Sequence, residues 1–489
     1  MASSASTYLT DTAWRYRTVS GGLFTVALGV AAVATVRPGL AALAVPVLGL
    51  TAWVYVRPQL AAYLVIGLTP LIVGIDRGRS IPLLRPSEAL ALSVGLALLL
   101  RSVIQPRSTP RQHVHLSRVE VAIVLLAITS SVMPLTWMLA RQVPISHDDL
   151  LYALVMWKYA GIYLIVRASV TTAAQAIRCL QISVAASCVV AAIAILQSLQ
   201  LLGVSHLLAT YYAPFGYTGA LSHARGSSTL SLPAATADLL IYNLAIVAGL
   251  WIWMGSHRAA LSAISLLLAM GAISAGEFSS AIGLVIGVCA IAFVTSYPRL
   301  LSIFVPFGGI ALVVLRPVIQ ARLSGFDSVS GLPVSWAGRL ANLRGYFWPR
   351  LFADWNYVLG VQPSARVPVA FQATGYVWIE SGYTWLLWGG GIPLLASFGY
   401  FVTVSINSSW REARRPDGPF NIAALAVVVS VTVMAVLMIF DPHLTYRGAA
   451  EEMFALLALS AVLGRANDPT RQPAVGHNRI DVEANACPR

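Results

Sequence analysis

The chain has 489 residues, 57% of them hydrophobic and only 10% charged, with a mean hydropathy of +0.75. That composition excludes an ordinary soluble globular domain and makes lipid the solvent for most of the sequence. The formal charge of +13 comes from arginines set against a single lysine, Lys158; burial in a membrane makes an anionic lipid headgroup the natural counterpart and leaves nucleic acid out.

Apolar runs long enough to cross about 30 Å of hydrocarbon as helices recur almost without pause. They lie near residues 20–36, 39–56, 59–75, 87–100, 119–140, 151–166, 179–202, 230–254, 259–275, 280–296, 300–316, 384–404, 420–440 and 453–464. Arg15 and Arg17 before the first run mimic a signal peptide, but a second run follows two residues later, so the first reads as a signal anchor. The expected fold class is all-α: a polytopic transmembrane helical bundle of about 14 spans, with one long extracytoplasmic, partly helical loop between spans 11 and 12. Residues 1–19 form a cytoplasmic N-terminal segment, 20–464 the transmembrane domain including the loop 317–383, and 465–489 a disordered cytoplasmic tail rich in Asn, Pro and Arg. Both termini are then cytoplasmic, with Arg101, Arg107, Arg111, Arg118, Arg411, Arg414 and Arg415 inside, as the positive-inside rule asks. Within the loop an amphipathic helix is expected from about Ser335 to Trp355, carrying Trp336, Phe347, Trp348 and Trp355 at interfacial depth. The cysteines Cys179, Cys188, Cys289 and Cys487 have no metal-ligand or redox spacing and read as packing residues. No metal site and no cofactor are expected.

The arginines left outside are unexpectedly many and unevenly spread. Arg77, Arg79 and Arg85 share one short loop, Arg225 sits in another, and six lie between Arg316 and Arg366. Guanidinium holds phosphate oxygens bidentately and stays protonated near lipid, so a pyrophosphate-bearing lipid is their natural ligand; pairing with Asp76, Asp327 or Asp354, or snorkelling, is the plainer account of any one of them. Lys158 falls near the middle of the sixth run and must face protein or water, reaching either a lipid phosphate or an internal carboxylate such as Asp238. Glu277 stands in the turn before span ten, and His443 in Asp441-Pro-His443-Leu-Thr-Tyr446-Arg447 faces outward as a possible base or as an ordinary loop histidine. His147-Asp148-Asp149 also faces outward, and Tyr211, Tyr212, Phe215 and Tyr217 suit either sugar stacking or an interfacial aromatic belt.

Two stretches go further. One is Arg339-Leu-Ala-Asn342-Leu-Arg344-Gly-Tyr-Phe-Trp-Pro-Arg350 followed by Asn356-Tyr-Val-Leu-Gly360-Val-Gln362; the other is Trp378-Ile-Glu380-Ser381-Gly382-Tyr383, running into a span with Gly389-Gly390-Gly391-Ile392-Pro393. Here the chain resembles the bacterial O-antigen ligase and O-antigen polymerase superfamily, whose long external loop carries an arginine, a later Gly-x-Gly and a polar residue leading into the next helix. The likeness extends to Phe215-Gly216 through Arg225 and Ser227-Ser228-Thr229, and to the serine-rich turn Ser274-Ala275-Gly276-Glu277-Phe278-Ser279-Ser280. The family places a histidine where Glu380 stands in its ligases, and Gln362 replaces the second glycine, which favours a polymerase or related oligosaccharide transferase over a ligase.

The resemblance implies transfer of a glycan from a polyprenyl-pyrophosphate donor to a sugar hydroxyl, with inversion, at the external face of a bacterial plasma membrane. Pyrophosphate is already a good leaving group, so the reaction needs positive charge at the pyrophosphate and a base at the acceptor rather than a metal. Arg339 and Arg344, helped by Arg225 and by Arg77, Arg79 or Arg85, are expected to clamp the pyrophosphate, and Glu380 to orient or deprotonate the acceptor, with His443, Glu277, Lys158 and Tyr383 as further candidates. Partners would be the lipid-linked glycan donor, a glycan acceptor, membrane lipid and proteins of envelope polysaccharide assembly. A lipid-linked oligosaccharide flippase, a ligase-type transferase and a scaffold subunit remain the competing readings.

Overall fold

The computed structural model describes residues 38–77, 84–104, 116–212, 225–254, 257–297, 306, 308–310, 313–323, 333–369, 375–414 and 420–466. The predicted first span, most of the run at 300–316, Arg79, Phe215, Tyr217 and the tail from residue 467 lie outside them. The described chain is all-α apart from one short two-stranded ribbon. Its helices, in order, are α1 (Pro38–Val56), α2 (Gln59–Ile72), α3 (Pro86–Ile104), α4 (Arg118–Thr129), α5 (Val132–Ala140), α6 (His147–Ala153), α7 (Val155–Ser169), α8 (Ala173–Ser198), α9 (Val204–Tyr211), α10 (Pro233–Met254), α11 (Arg258–Ser274) and α12 (Phe278–Thr295). After these come α13 (Arg316–Leu323), α14 (Val334–Asn342), α15 (Trp348–Phe352), α16 (Asn356–Leu359), α17 (Gly382–Ala413), α18 (Phe420–Leu437) and α19 (Ala449–Ala466).

Among the described residues, seven helical segments are long and apolar enough to cross a membrane, counting α4 with α5 and α6 with α7 as one each, and α1, α2, α11 and α18 add shorter apolar stretches. The protein is therefore a multi-pass membrane protein. Its lipid-facing surface is legible on α3, where Leu92, Leu96, Leu99 and Val103 form an exposed stripe at helical spacing while Leu90, Val94 and Ala97 are buried on the other side. At the centre stands α10, which is buried around nearly its whole circumference and packs on α8, α11, α12, α18 and α19. The glycines of α12 allow that close approach: a Cβ at Gly287 would overlap Ile241 of α10, and one at Gly283 would overlap Leu437 of α18 and crowd Ile241.

Helix starts follow side-chain chemistry. Ser117 with Glu120, Ser146 with Asp149 and Thr172 with Gln175 each form a reciprocal capping box at the start of α4, α6 and α8. Besides the interruption at Leu154 between α6 and α7, two described spans are broken where they meet each other. The α4–α5 span is interrupted at Ser130-Ser131, and α17 is interrupted at Gly391, whose φ of 66° a side-chain-bearing residue would resist. Gly390 lies against the Thr129 carbonyl and Gly391 against the Val358 carbonyl. With α17 bent there, the Trp388 carbonyl accepts from the Val361 N–H at 2.7 Å, so the segment after α16 is stitched into the broken helix.

Candidate functional site

The predicted long amphipathic helix is present as a broken series. α14 passes through a wide turn at Leu343–Phe347 into α15, and Asp354 and Trp355, both at positive φ, end the run before α16. Together with β1 (Arg366–Pro368) and β2 (Tyr376–Trp378), paired antiparallel with Arg366 opposite Trp378, these pieces form a cap over one end of the bundle. Aromatic packing fixes it. Trp336 sits between Phe278 at the start of α12 and Phe440 after α18, and Phe347 meets Trp388 edge-on at 5.2 Å. Arg141 bonds the Asn356 side chain and donates to the Val361 carbonyl at 2.8 Å, and Asp149 Oδ1 accepts the Ser364 N–H at 3.1 Å.

One turn beyond Trp336, Arg339 enters a cluster of carboxylates. Its Nη1 lies 2.7 Å from Asp441 Oδ2 and its Nε 3.7 Å from Glu380 Oε1, while Asn342 Nδ2 donates to Glu380 Oε2 at 3.4 Å. Burial of Arg339 alone would make its charge less favourable, but Asp441 and Glu380 outweigh that and hold the guanidinium above its ordinary pKa. Burial pushes the Asp441 carboxyl up to about 7 in spite of Arg339, with Glu277 and Glu380 adding to the push. Glu380 is also raised, by burial first, and its side chain remains about one-third exposed where that of Asp441 is closed off. Thus Glu380 is the member of the pair open to solvent.

Behind this cluster His443 Nδ1 lies 2.6 Å from Asp238 Oδ2, both side chains fully buried, and the His443 ring packs on Tyr446 at 4.6 Å. Burial disfavours the imidazolium, but the Asp238 carboxylate outweighs it and holds His443 above its ordinary pKa. Among the described residues Asp238 Oδ1 and His443 Nε2 have no hydrogen-bond partner. Closed off on both sides, the pair ties the connection after α18 to α10.

The same connection, residues 441–448, carries Arg447 into a second cluster of the opposite character. Burial, and after it the like charge of Arg85, push Arg447 down to about 10. Around it, Arg85 pairs with Asp76 at 3.5 Å, Arg77 with Glu88 at 2.7 Å, and Lys158 with Glu451 at 2.6 Å. Near Tyr152, Arg366 pairs with Asp148 at 3.1 Å and lies over the rings of Tyr376 and Trp378 at 4.6 and 4.4 Å. The cluster holds one more cation than the carboxylates paired in it, with Arg447 and Arg85 close enough to oppose each other's charge, an arrangement that suits an anion.

The sequence-predicted residues therefore divide. Arg339, Glu380, His443 and Glu277 come together; Arg77, Arg85 and Lys158 come together elsewhere. Arg344 does neither: it is exposed on the wide turn and joins no ion pair among the described residues. Lys158 is held by Glu451 and not by Asp238, which belongs to His443. Arg225 is half-buried beside the Ser227-Ser228-Thr229 segment, whose hydroxyls are spent inside the bundle: Ser228 donates to the Val190 carbonyl at 2.8 Å and Thr229 to Pro70 at 2.7 Å. That motif is a structural plug. Tyr383 donates to the Ala435 carbonyl at 2.9 Å and ties α17 to α18. Asp441, Arg447 and Arg366 were not singled out for these roles; each is an ordinary residue in sequence and gains its role from an element far along the chain. No protein-family model, curated protein or solved structure gives a significant match to this chain.

Proposed function

We propose that the protein transfers a glycan from a polyprenyl-pyrophosphate donor to a sugar hydroxyl at the capped end of the bundle, as a polymerase or related oligosaccharide transferase of the external membrane face. The observation that carries the reading is the 441–448 connection, which serves a carboxylate–histidine cluster through Asp441 and His443 and an arginine cluster through Arg447. Transfer needs both: positive charge where the pyrophosphate leaves, and a base where the hydroxyl attacks. Glu380, part-exposed and with its pKa raised, takes the acceptor proton; Arg339 and Asn342 orient it, and Asp441 anchors Arg339. Arg447 and Arg85, with Lys158 and Arg77 nearby, receive the pyrophosphate. The clamp is placed on Arg447 and Arg85, whose like charges oppose one another at a half-buried position that an anion would relieve.

Reconstituted protein given a polyprenyl-pyrophosphate oligosaccharide is expected to form longer lipid-linked products, and Arg339→Ala is expected to abolish them. A second reading, movement of a lipid-linked oligosaccharide across the bilayer, is favoured by one observation, the Lys158–Glu451 ion pair within the bundle. Translocation of the lipid without elongation would select it and overturn the first.

A further inference from the structure

A third polar group lies inside the bundle, apart from both clusters. Ser183 of α8 is within 2.6 Å of Asn243 Oδ1 on α10 and within 2.6 Å of Glu452 Oε1 on α19, and all three residues are at most 3% exposed. Both contacts are short hydrogen bonds, so two protons are required. The Ser183 hydroxyl supplies one. Asn243 cannot supply the other from the atom that faces Ser183: its Nδ2 donates to the Leu239 carbonyl at 3.0 Å, and turning the amide over would set its oxygen against that carbonyl. The remaining proton belongs to Glu452.

We infer that Glu452 is a protonated carboxylic acid in the folded protein at neutral pH, donating to Ser183, which in turn donates to Asn243, so that a bound proton joins α19, α8 and α10. The surroundings agree. No cation among the described residues is ion-paired with Glu452; Lys158 is taken by the neighbouring Glu451, and the nearby Cys179 of α8 is a buried thiol. An ionised carboxylate at this position would stand in an apolar interior with one proton shared between two acceptors, the arrangement that burial penalises most. The ligand of this site is the proton itself, held between three helices and closed off from solvent. The assignment rests on hydrogen-bond stoichiometry and stands independently of glycan transfer.

Infrared spectroscopy of the full-length protein in lipid, with glutamate carrying 13C at the side-chain carboxyl, tests it. At neutral pH a protonated-carboxyl C=O band that shifts with the isotope is expected, lost in Glu452→Gln and kept in Glu451→Gln. Glu452→Gln is expected to fold with an unchanged melting temperature, because the amide N–H replaces the carboxyl proton on Ser183, whereas Glu452→Ala lowers it. A spectrum identical in wild type and Glu452→Gln would overturn the inference, as would a melting temperature lowered as far by Gln as by Ala.

Discussion

Replacing Glu380 by Gln separates a chemical role from a structural one, because the structure gives the two very different sizes. Glu380 approaches Arg339 at 3.7 Å with about a third of its side chain exposed, and a pair of that kind contributes roughly 0.2–1 kcal/mol to stability. Arg339 keeps its 2.7 Å partner Asp441, and a glutamine of the same shape still accepts from Asn342. The variant should therefore insert, fold and melt within a few degrees of wild type. If Glu380 takes the acceptor proton, the rate should nonetheless fall by about 10²–10⁴-fold, the usual contribution of a positioned general base. The assay is single-turnover elongation of polyprenyl-pyrophosphate oligosaccharide in proteoliposomes, read by chain length, beside thermal unfolding of the same preparation. Full elongation by a normally folded Glu380→Gln protein would refute the assignment; a large loss of melting temperature would show that the carboxylate is structural.

Asp441→Ala should behave in the opposite sense, costing about 3–5 kcal/mol by leaving Arg339 without its buried partner, measurable as a lowered melting temperature. Because the Asp441 carboxyl is held at about 7, above its value in the unfolded chain, its contribution to stability is full below the unfolded value near pH 4 and is lost as the pH rises through about 7. Unfolding followed across that window should show a fall that Asp441→Asn removes. Arg447→Ala should lower kcat/KM for the lipid-linked donor about ten- to a hundred-fold, from the 1.5–3 kcal/mol of a charged hydrogen bond, with kcat itself reduced because the charge is needed where the pyrophosphate leaves. Gly391→Ala forces a left-handed residue at φ 66° and drives a Cβ into the Val358 carbonyl; a loss of at least about 1–3 kcal/mol is expected, with faster proteolysis of the cap.

The helical membrane architecture was legible because lipid imposes a simple test, an apolar run of sufficient length, and described helices stand at each predicted run between residues 39 and 296 and again after 384. The breaks were not legible. Ser130-Ser131 and Gly391 interrupt apolar stretches that read as continuous, and what makes the breaks tolerable is their mutual contact and the docking of Val361, neither of which leaves a local trace. Among the candidate residues, Arg339 and Glu380 were found together because both lie in one polar loop. Arg344, counted with the same loop arginines, is exposed on the wide turn and stands outside the Arg339 cluster, a separation that loop membership does not reveal. Of the two partners open to Lys158 in the sequence, a lipid phosphate or an internal carboxylate such as Asp238, the structure supplies a different internal carboxylate, Glu451, while Asp238 is held by a histidine 205 residues further along the chain.

The stitching of Val361 onto the Trp388 carbonyl has a consequence for anyone who would exchange parts of this protein. The cap is not a cassette. Removing it would leave a main-chain acceptor of α17 facing a low-dielectric interior, and importing another cap would require a donor at the same register together with glycines at 360 and 391, where the two chains meet too closely for a side chain. A chimera that changes acceptor preference must therefore carry the segment from α14 through the bend of α17 as one unit, along with the α4–α5 break on which that bend rests.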